Sequence, residues 1–234
     1  MRVLARRILD EHQAFMEALV ERELLIDANP LEASEYQVVD QEGKASRQTS
    51  LVWAGSSGLS YLFSDYASIG QYLEAVKRRD YNFCLVDGSI IQIHYRMEED
   101  EIKYHRLCFH PCPYPFPLDS HEGLGLADIP DLMNARELLT GIRLASPIRF
   151  DFDSEFCDDK HAHSHLTINR QGCRVPAFGP VSLGHFMRFV FRYFYEAEFD
   201  SPGWWPEVQP KVFTKTLDHP APHEFHIESS IGFD

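Results

Sequence analysis

The dipeptide Asp87-Gly88 lies between two apolar runs, Cys84-Leu85-Val86 and Ile90-Ile91-Gln92-Ile93-His94-Tyr95-Arg96, and constrains the fold more than any other stretch. Asp-Gly between such runs is the chemistry of a tight β-hairpin, because both turn residues tolerate positive φ. The second run alternates, with Ile91, Ile93 and Tyr95 on one side and Gln92, His94 and Arg96 on the other. Successive side chains of a strand point to opposite faces, so one face of this sheet is apolar and the other polar. The acidic turn Glu98-Glu99-Asp100-Glu101 then sends the chain back along Ile102 to Phe109, which makes an antiparallel meander. A further strand obeys the same rule: Ile148, Phe150 and Phe152 point inward, Arg149, Asp151 and Asp153 to the polar face.

Helices flank this sheet. Leu4, Ile8, Phe15 and Leu19 recur at helical spacing and predict a helix over 3–26, ended by Asn29-Pro30. Its basic start, Arg2, Arg6 and Arg7, reads as a solvated face. Tyr36 to Val39 and Thr49 to Trp53 read as two strands around a polar turn at 41–44. Ser68 and Gln71 fit a capping box, opening a helix up to Arg79. Pro111, Pro113, Pro115 and Pro117 forbid regular pairing, and a short helix is expected near Ala135 to Leu139. Ser182 caps a helix from Leu183 to about Ala197, so rich in Phe and Tyr that it should lie buried on the sheet. The expectation is an α+β domain over 1–199, a mainly antiparallel twisted sheet carrying the N-terminal and 183–197 helices. Residues 200–234, with Trp204-Trp205 and five prolines, read as an extended arm.

Charge narrows the function classes. The 234 residues carry 22 basic and 36 acidic side chains, a net charge of −14. That opposes broad, nonspecific nucleic-acid binding, which needs many phosphate contacts, but not a small basic site inside an acidic shell. Docking to a basic protein partner through the acidic surface is equally open. Five cysteines in a chain of this length do not form a secreted disulfide framework. No apolar run is long enough to cross a bilayer, and the first residues lack the apolar core of a signal peptide, so no membrane association and a cytoplasmic location are expected. Phosphate-cradling glycine loops, a dinucleotide fingerprint and a nucleophile elbow are missing from the sequence.

The chemistry concentrates in His161-Ala162-His163-Ser164-His165-Leu166-Thr167 and Cys173-Arg174-Val175-Pro176. On a strand the three histidines share a face, with the outer pair roughly 13 Å apart at about 3.3 Å per residue. On a turn, His161 and His165 become neighbours able to grip one metal ion. No carboxylate stands at a familiar metalloenzyme spacing, so no cofactor is assigned, and zinc remains an alternative. Cys108, His110 and Cys112 with His105, and His219, His223 and His226 in the arm, have zinc-ligand residue types but loose spacing. If the strands carrying His105-Arg106, Arg149, Asp151 and Arg174 share one sheet, imidazoles and guanidiniums meet over one pocket. Phosphodiester cleavage uses such a set: one imidazole takes a proton, another gives one, and arginines hold the developing charge. The competing reading is Arg–Asp pairs that merely bridge strands.

The succession Asp87-Gly88, His105-Arg106-Leu107, Pro147-Ile148-Arg149-Phe150-Asp151, Ser164-His165-Leu166-Thr167, Cys173-Arg174-Val175-Pro176 and Phe194-Tyr195 resembles a bacterial family that carries a domain-of-unknown-function label. Ala162 departs from that pattern, which has proline there, and Tyr193 precedes Phe194-Tyr195 in a region where the family has an asparagine. The order of hairpin, Arg-Asp strand and clustered histidines is also similar to the TumE-like toxins of toxin–antitoxin pairs. These resemblances imply a bacterial conflict or phage-defence setting. Two functions are then expected. One is a metal-independent, RNase-like effector, with His165 and His161 as acid and base, His105 as a third candidate, and Arg149 and Arg174 clamping RNA phosphate. The other is a non-catalytic accessory subunit that binds a protein partner through its acidic surface and the Trp204/Trp205 arm.

Overall fold

The computed structural model describes residues 2–39, 43, 45–56, 68–114, 141–142, 146–156, 162–169, 172–200, 205–206 and 213. Its architecture is α+β. Among the described residues nine strands form one sheet: β1 (Leu25–Ala28), β2 (Leu31–Val39), β3 (Ala45–Trp53), β4 (Phe83–Leu85), β5 (Ile90–Glu98), β6 (Glu101–His110), β7 (Ile148–Asp153), β8 (Ser164–Ile168) and β9 (Arg174–Pro176). The described helices are α1 (Val3–Glu21), α2 (Ile69–Arg78), α3 (Leu183–Phe194) and the single turn α4 (Glu196–Phe199). The main order is β1-β4-β5-β6-β7-β8-β9, and every pairing is antiparallel. One edge of β5 is shared: β4 pairs with its start and β3 with its end, and β2 hangs on β3 as an outer strand.

The hairpin forms where expected but by a different turn. Only Gly88 has positive φ, at +83°. The Gly88 N–H donates to the Leu85 carbonyl at 2.8 Å and Leu85 N–H to the Ser89 carbonyl at 2.8 Å, which closes a three-residue loop around an ordinary turn with Gly88 left-handed. The Asp87 carboxylate accepts from the Ser89 backbone N–H at 2.9 Å and its hydroxyl at 3.0 Å, fixing the loop locally. The capping box also forms: the Gln71 N–H donates to Ser68 Oγ at 3.2 Å and the Ser68 N–H to Gln71 Oε1 at 3.0 Å.

The first helix is shorter than its periodicity predicts. It stops at Glu21, Glu23 takes φ +55°, and Leu25–Ala28 becomes strand β1 against β4. Leu24 to Ala28 continue the apolar spacing of the helix, yet pairing with a neighbouring strand outcompetes it. Similarly, α3 ends at Phe194 rather than Ala197. The expected helix near 135–139 and nearly all of the C-terminal arm lie outside the described residues.

Alternation then assigns the two faces. Ile91, Ile93, Tyr95, Leu107, Phe150, Phe152 and Leu166 form the apolar face and share a core with Leu4, Ile8, Phe15 and Leu19 of α1 and Phe186, Met187, Val190 and Phe191 of α3. Burying each such large side chain contributes about 1.5–3 kcal/mol. Phe150 meets Phe186 and Phe189 edge-on at 6.1 and 5.3 Å. On the other face, α2 covers one end through a second cluster of Tyr72, Ala75 and Val76 with Cys84, Ile90, Cys108, Cys112 and Tyr114. Beyond that cluster the second face is polar.

Candidate functional site

Antiparallel register lines the polar face with three cross-strand rows. The first runs Ser50, Arg96, Tyr104, Asp153. The second runs His94, Arg106, Asp151, His165. The third, nearest α2, runs Gln92, Cys108, Arg149, Thr167, Arg174. Neighbouring rows stand roughly 7 Å apart, two residues along a strand. The three rows thus place four guanidiniums and two carboxylates on one face, within a chain of net charge −14.

Asp151 is the hub. Arg106 Nε donates to its Oδ1 at 2.9 Å, Arg149 Nε donates to its Oδ2, and Thr167 Oγ1 donates to Oδ2 at 3.3 Å. His165 Nε2 stands 3.4 Å from the same Oδ2. The carboxylate is 5% exposed and Arg149 is 3% exposed. Burial alone pushes the Asp151 carboxyl up, but the hydrogen bond from His165 and the charges of Arg149 and Arg106 outweigh it and hold the carboxyl well below the usual carboxylate range. Asp151 is therefore an anion at neutral pH, and it is shared between two cations.

The surplus of positive charge shows in the neighbours. Burial first, then the charges of Arg106 and Arg96, push the His94 imidazole down to about 4. Arg96 Nε, His94 Nδ1 and Arg174 Nε are buried atoms with no hydrogen-bond partner among the described residues. A buried polar atom left unpartnered is costly unless water or a ligand satisfies it.

The candidates named from sequence separate cleanly. His165, Arg149 and Arg174 come together on this face, on adjacent strands β8, β7 and β9. His105 does not join them. It points into the apolar core between Tyr95 and Phe152, fully buried, and its Nε2 accepts from the Val181 N–H at 2.8 Å. Burial pushes its imidazole down to about 3. His161, Trp204, His219, His223 and His226 lie outside the described residues. His163 precedes β8 and its Nδ1 meets the Asp153 carbonyl at 2.9 Å.

Sequence reasoning left out His94, Tyr104 and Thr167. Their alternation was readable, but their place beside Asp151 depends on register. Among the described residues no group of three or more His, Cys, Asp or Glu side chains is placed to hold a metal ion. Cys108 and Cys112 belong to the cluster under α2, where Tyr72 OH donates to Cys112 Sγ at 3.5 Å. No helix among the described residues is long and apolar enough to cross a membrane.

The chain belongs to the family described as an uncharacterized conserved protein (DUF2290), whose model matches residues 33–229. The match takes in every strand that contributes to the polar face. No curated protein and no solved structure matches the chain.

Proposed function

We propose that this chain is an RNase-like effector of a bacterial conflict or phage-defence system, with its phosphodiester ligand held on the polar face of the sheet. The observation that carries the reading is the gathering of Arg106, Arg149, His165 and Thr167 on the single carboxylate of Asp151, with Arg174 beside them at the open edge. Cations in excess of carboxylates, partly withdrawn from water, are costly without an anion. A phosphate supplies one and accepts from guanidinium donors in the geometry they prefer. In this reading Arg106 and Arg174 hold the phosphate, Arg149 stays on Asp151, and Asp151 orients His165 as the acid/base group.

A second reading has a specific observation behind it. Both nitrogens of His165 face oxygen acceptors, Asp151 Oδ2 at 3.4 Å and the Ala162 carbonyl at 3.2 Å. A ring engaged on both sides has no free nitrogen for a substrate, which favours a binding subunit without catalysis. For that subunit, Trp205 is not a free anchor, since it packs on Phe15, Phe191 and Phe199 at 5.2, 6.1 and 5.5 Å.

The deciding experiment measures binding and cleavage of a labelled RNA oligomer by wild type, Arg174→Ala and His165→Gln. The effector reading expects Arg174→Ala to weaken binding by about tenfold, as for one lost charge-assisted phosphate contact. It expects His165→Gln to abolish cleavage while binding persists. RNA binding without cleavage by the wild type refutes catalysis, absence of both leaves the accessory subunit that binds a protein partner, and RNA binding indifferent to Arg174→Ala refutes the phosphate site.

A further inference from the structure

Tyr104, one row from the Asp151 hub, has no part in holding a phosphate. It stands half-buried on β6, directly across from Arg96 on β5 and Asp153 on β7. The guanidinium carbons of Arg96 and Arg106 lie 5.2 and 5.8 Å from its ring centroid, and the His94 ring meets it edge-on at 5.1 Å. Two guanidiniums and an imidazole thus surround this tyrosine on the polar face. Nothing in the apolar core requires it.

Two further facts concern the polar atoms of this group. Arg96 Nε and His94 Nδ1 are both buried and lack a hydrogen-bond partner among the described residues. The other ring nitrogen of His94, Nε2, lies 3.4 Å from Ser50 Oγ. With its imidazole pushed down to about 4, the His94 ring is neutral near pH 7, and with Nε2 beside Ser50 its Nδ1 is left as a single donor or acceptor according to the tautomer. Flat π surfaces with nearby unsatisfied donors and acceptors suit a nucleobase, which stacks on aromatic or guanidinium planes and hydrogen-bonds along its edge.

Spacing ties the two regions together. Tyr104 and Arg106 are two residues apart on one strand, roughly 7 Å, which is the scale of a single nucleotide from base to phosphate. A duplex cannot use this arrangement, because its bases are stacked inside the helix and only unpaired ones can be splayed onto a side chain.

We infer that the polar face takes a single-stranded nucleotide segment, with an unpaired base on the Tyr104, Arg96 and His94 group and the adjoining phosphate at Arg106. This inference rests on the phosphate reading above and deepens it by naming the ligand as single-stranded rather than duplex RNA.

The test is fluorescence anisotropy at fixed salt with four probes: a labelled single-stranded RNA oligomer, the same sequence as a duplex, an abasic oligomer of equal length, and the single strand competed with inorganic phosphate. The wild type should bind the single strand at least about tenfold more tightly than the abasic chain, the order expected for one stacked base. Tyr104→Leu should erase that difference, while Tyr104→Phe should keep it. Equal affinity of the wild type for single strand and abasic chain overturns the inference but leaves the phosphate reading standing. Tighter binding of the duplex than of the single strand also overturns it. If neither the single strand nor the abasic chain binds, the phosphate reading fails and this inference falls with it. The two wild-type comparisons decide the matter even if Tyr104→Leu folds poorly.

Discussion

Replacing Asp151 by asparagine tests the hub directly. The amide keeps the size of the carboxylate but loses its charge, and it turns an NH2 group toward donors. Arg149 is only 3% exposed and cannot turn to water for compensation. Breaking one side of a buried pair costs about 3–5 kcal/mol, because the remaining charge stays desolvated. In a chain of this length each kcal/mol lowers Tm by about 2–4 °C, so the expected drop is roughly 6–20 °C. Urea unfolding should show the midpoint fall with the slope unchanged. The sign with pH follows from the depressed carboxyl: its contribution is present above the unfolded value, about 4, and is lost as pH falls through the folded one. The gap between wild type and Asp151→Asn should therefore stay constant from about pH 7 to 5 and close only in stronger acid. Inorganic phosphate should stabilise the variant more than the wild type, since it replaces the missing anion at Arg106. A loss below about 1 kcal/mol would refute the reasoning, because it would mean the guanidiniums do not depend on Asp151.

Two other outcomes follow from the fold. Burial holds His12, His94 and His110 down to about 4 and His105 to about 3, so the unfolded chain takes up protons below about pH 6.5 that the folded chain refuses. Stability should fall as pH drops from 6.5 toward 4, by about 1.4 kcal/mol per pH unit for each such histidine, and a flat urea midpoint between pH 6.5 and 5 would contradict their neutral burial. Tyr195 OH donates to both Asp87 carboxylate oxygens at 3.0 Å and ties the end of α3 to the β4–β5 hairpin. Tyr195→Phe should cost about 1.5 kcal/mol, measured as a shift in urea midpoint, and a neutral result would mean that water replaces the hydroxyl at no cost.

The parts of this fold legible in the sequence were those set by local rules. Alternation in Ile91 to Arg96 and in Ile148 to Asp153 assigned faces correctly, and Ser68 with Gln71 marked the start of α2. Competition between distant partners was not legible: Leu25–Ala28 left the helical pattern because β4 offered it a strand. The candidate site divides the same way. His105 and Arg106 are adjacent on one strand, so only one of them can face Asp151, and the alternation already contained that answer. That Arg106 and not Tyr104 sits opposite Asp151 depends on register across β6 and β7, which no local spacing encodes.

The same geometry sorts the arginines by role. Arg149 is bonded to Asp151 within β7, with a side chain only 4% exposed. The Arg106 side chain is 23% exposed while bonded to the same carboxylate. On the proposed phosphate reading, an incoming phosphate would compete with Asp151 for Arg106 and not for Arg149. Once Arg106 turns to the ligand, Asp151 Oδ1 loses its donor, and the carboxylate is left with Arg149, Thr167 and His165 on Oδ2. Its hold on His165 must strengthen or shift at that moment, because fewer cations share its charge. On that reading, ligand binding and the environment of His165 would be coupled through one carboxylate. His165 resonances that move on titrating phosphate into the wild type, and stay still in Arg106→Ala, are the signature of that coupling. Resonances that move equally in both proteins would place the ligand elsewhere.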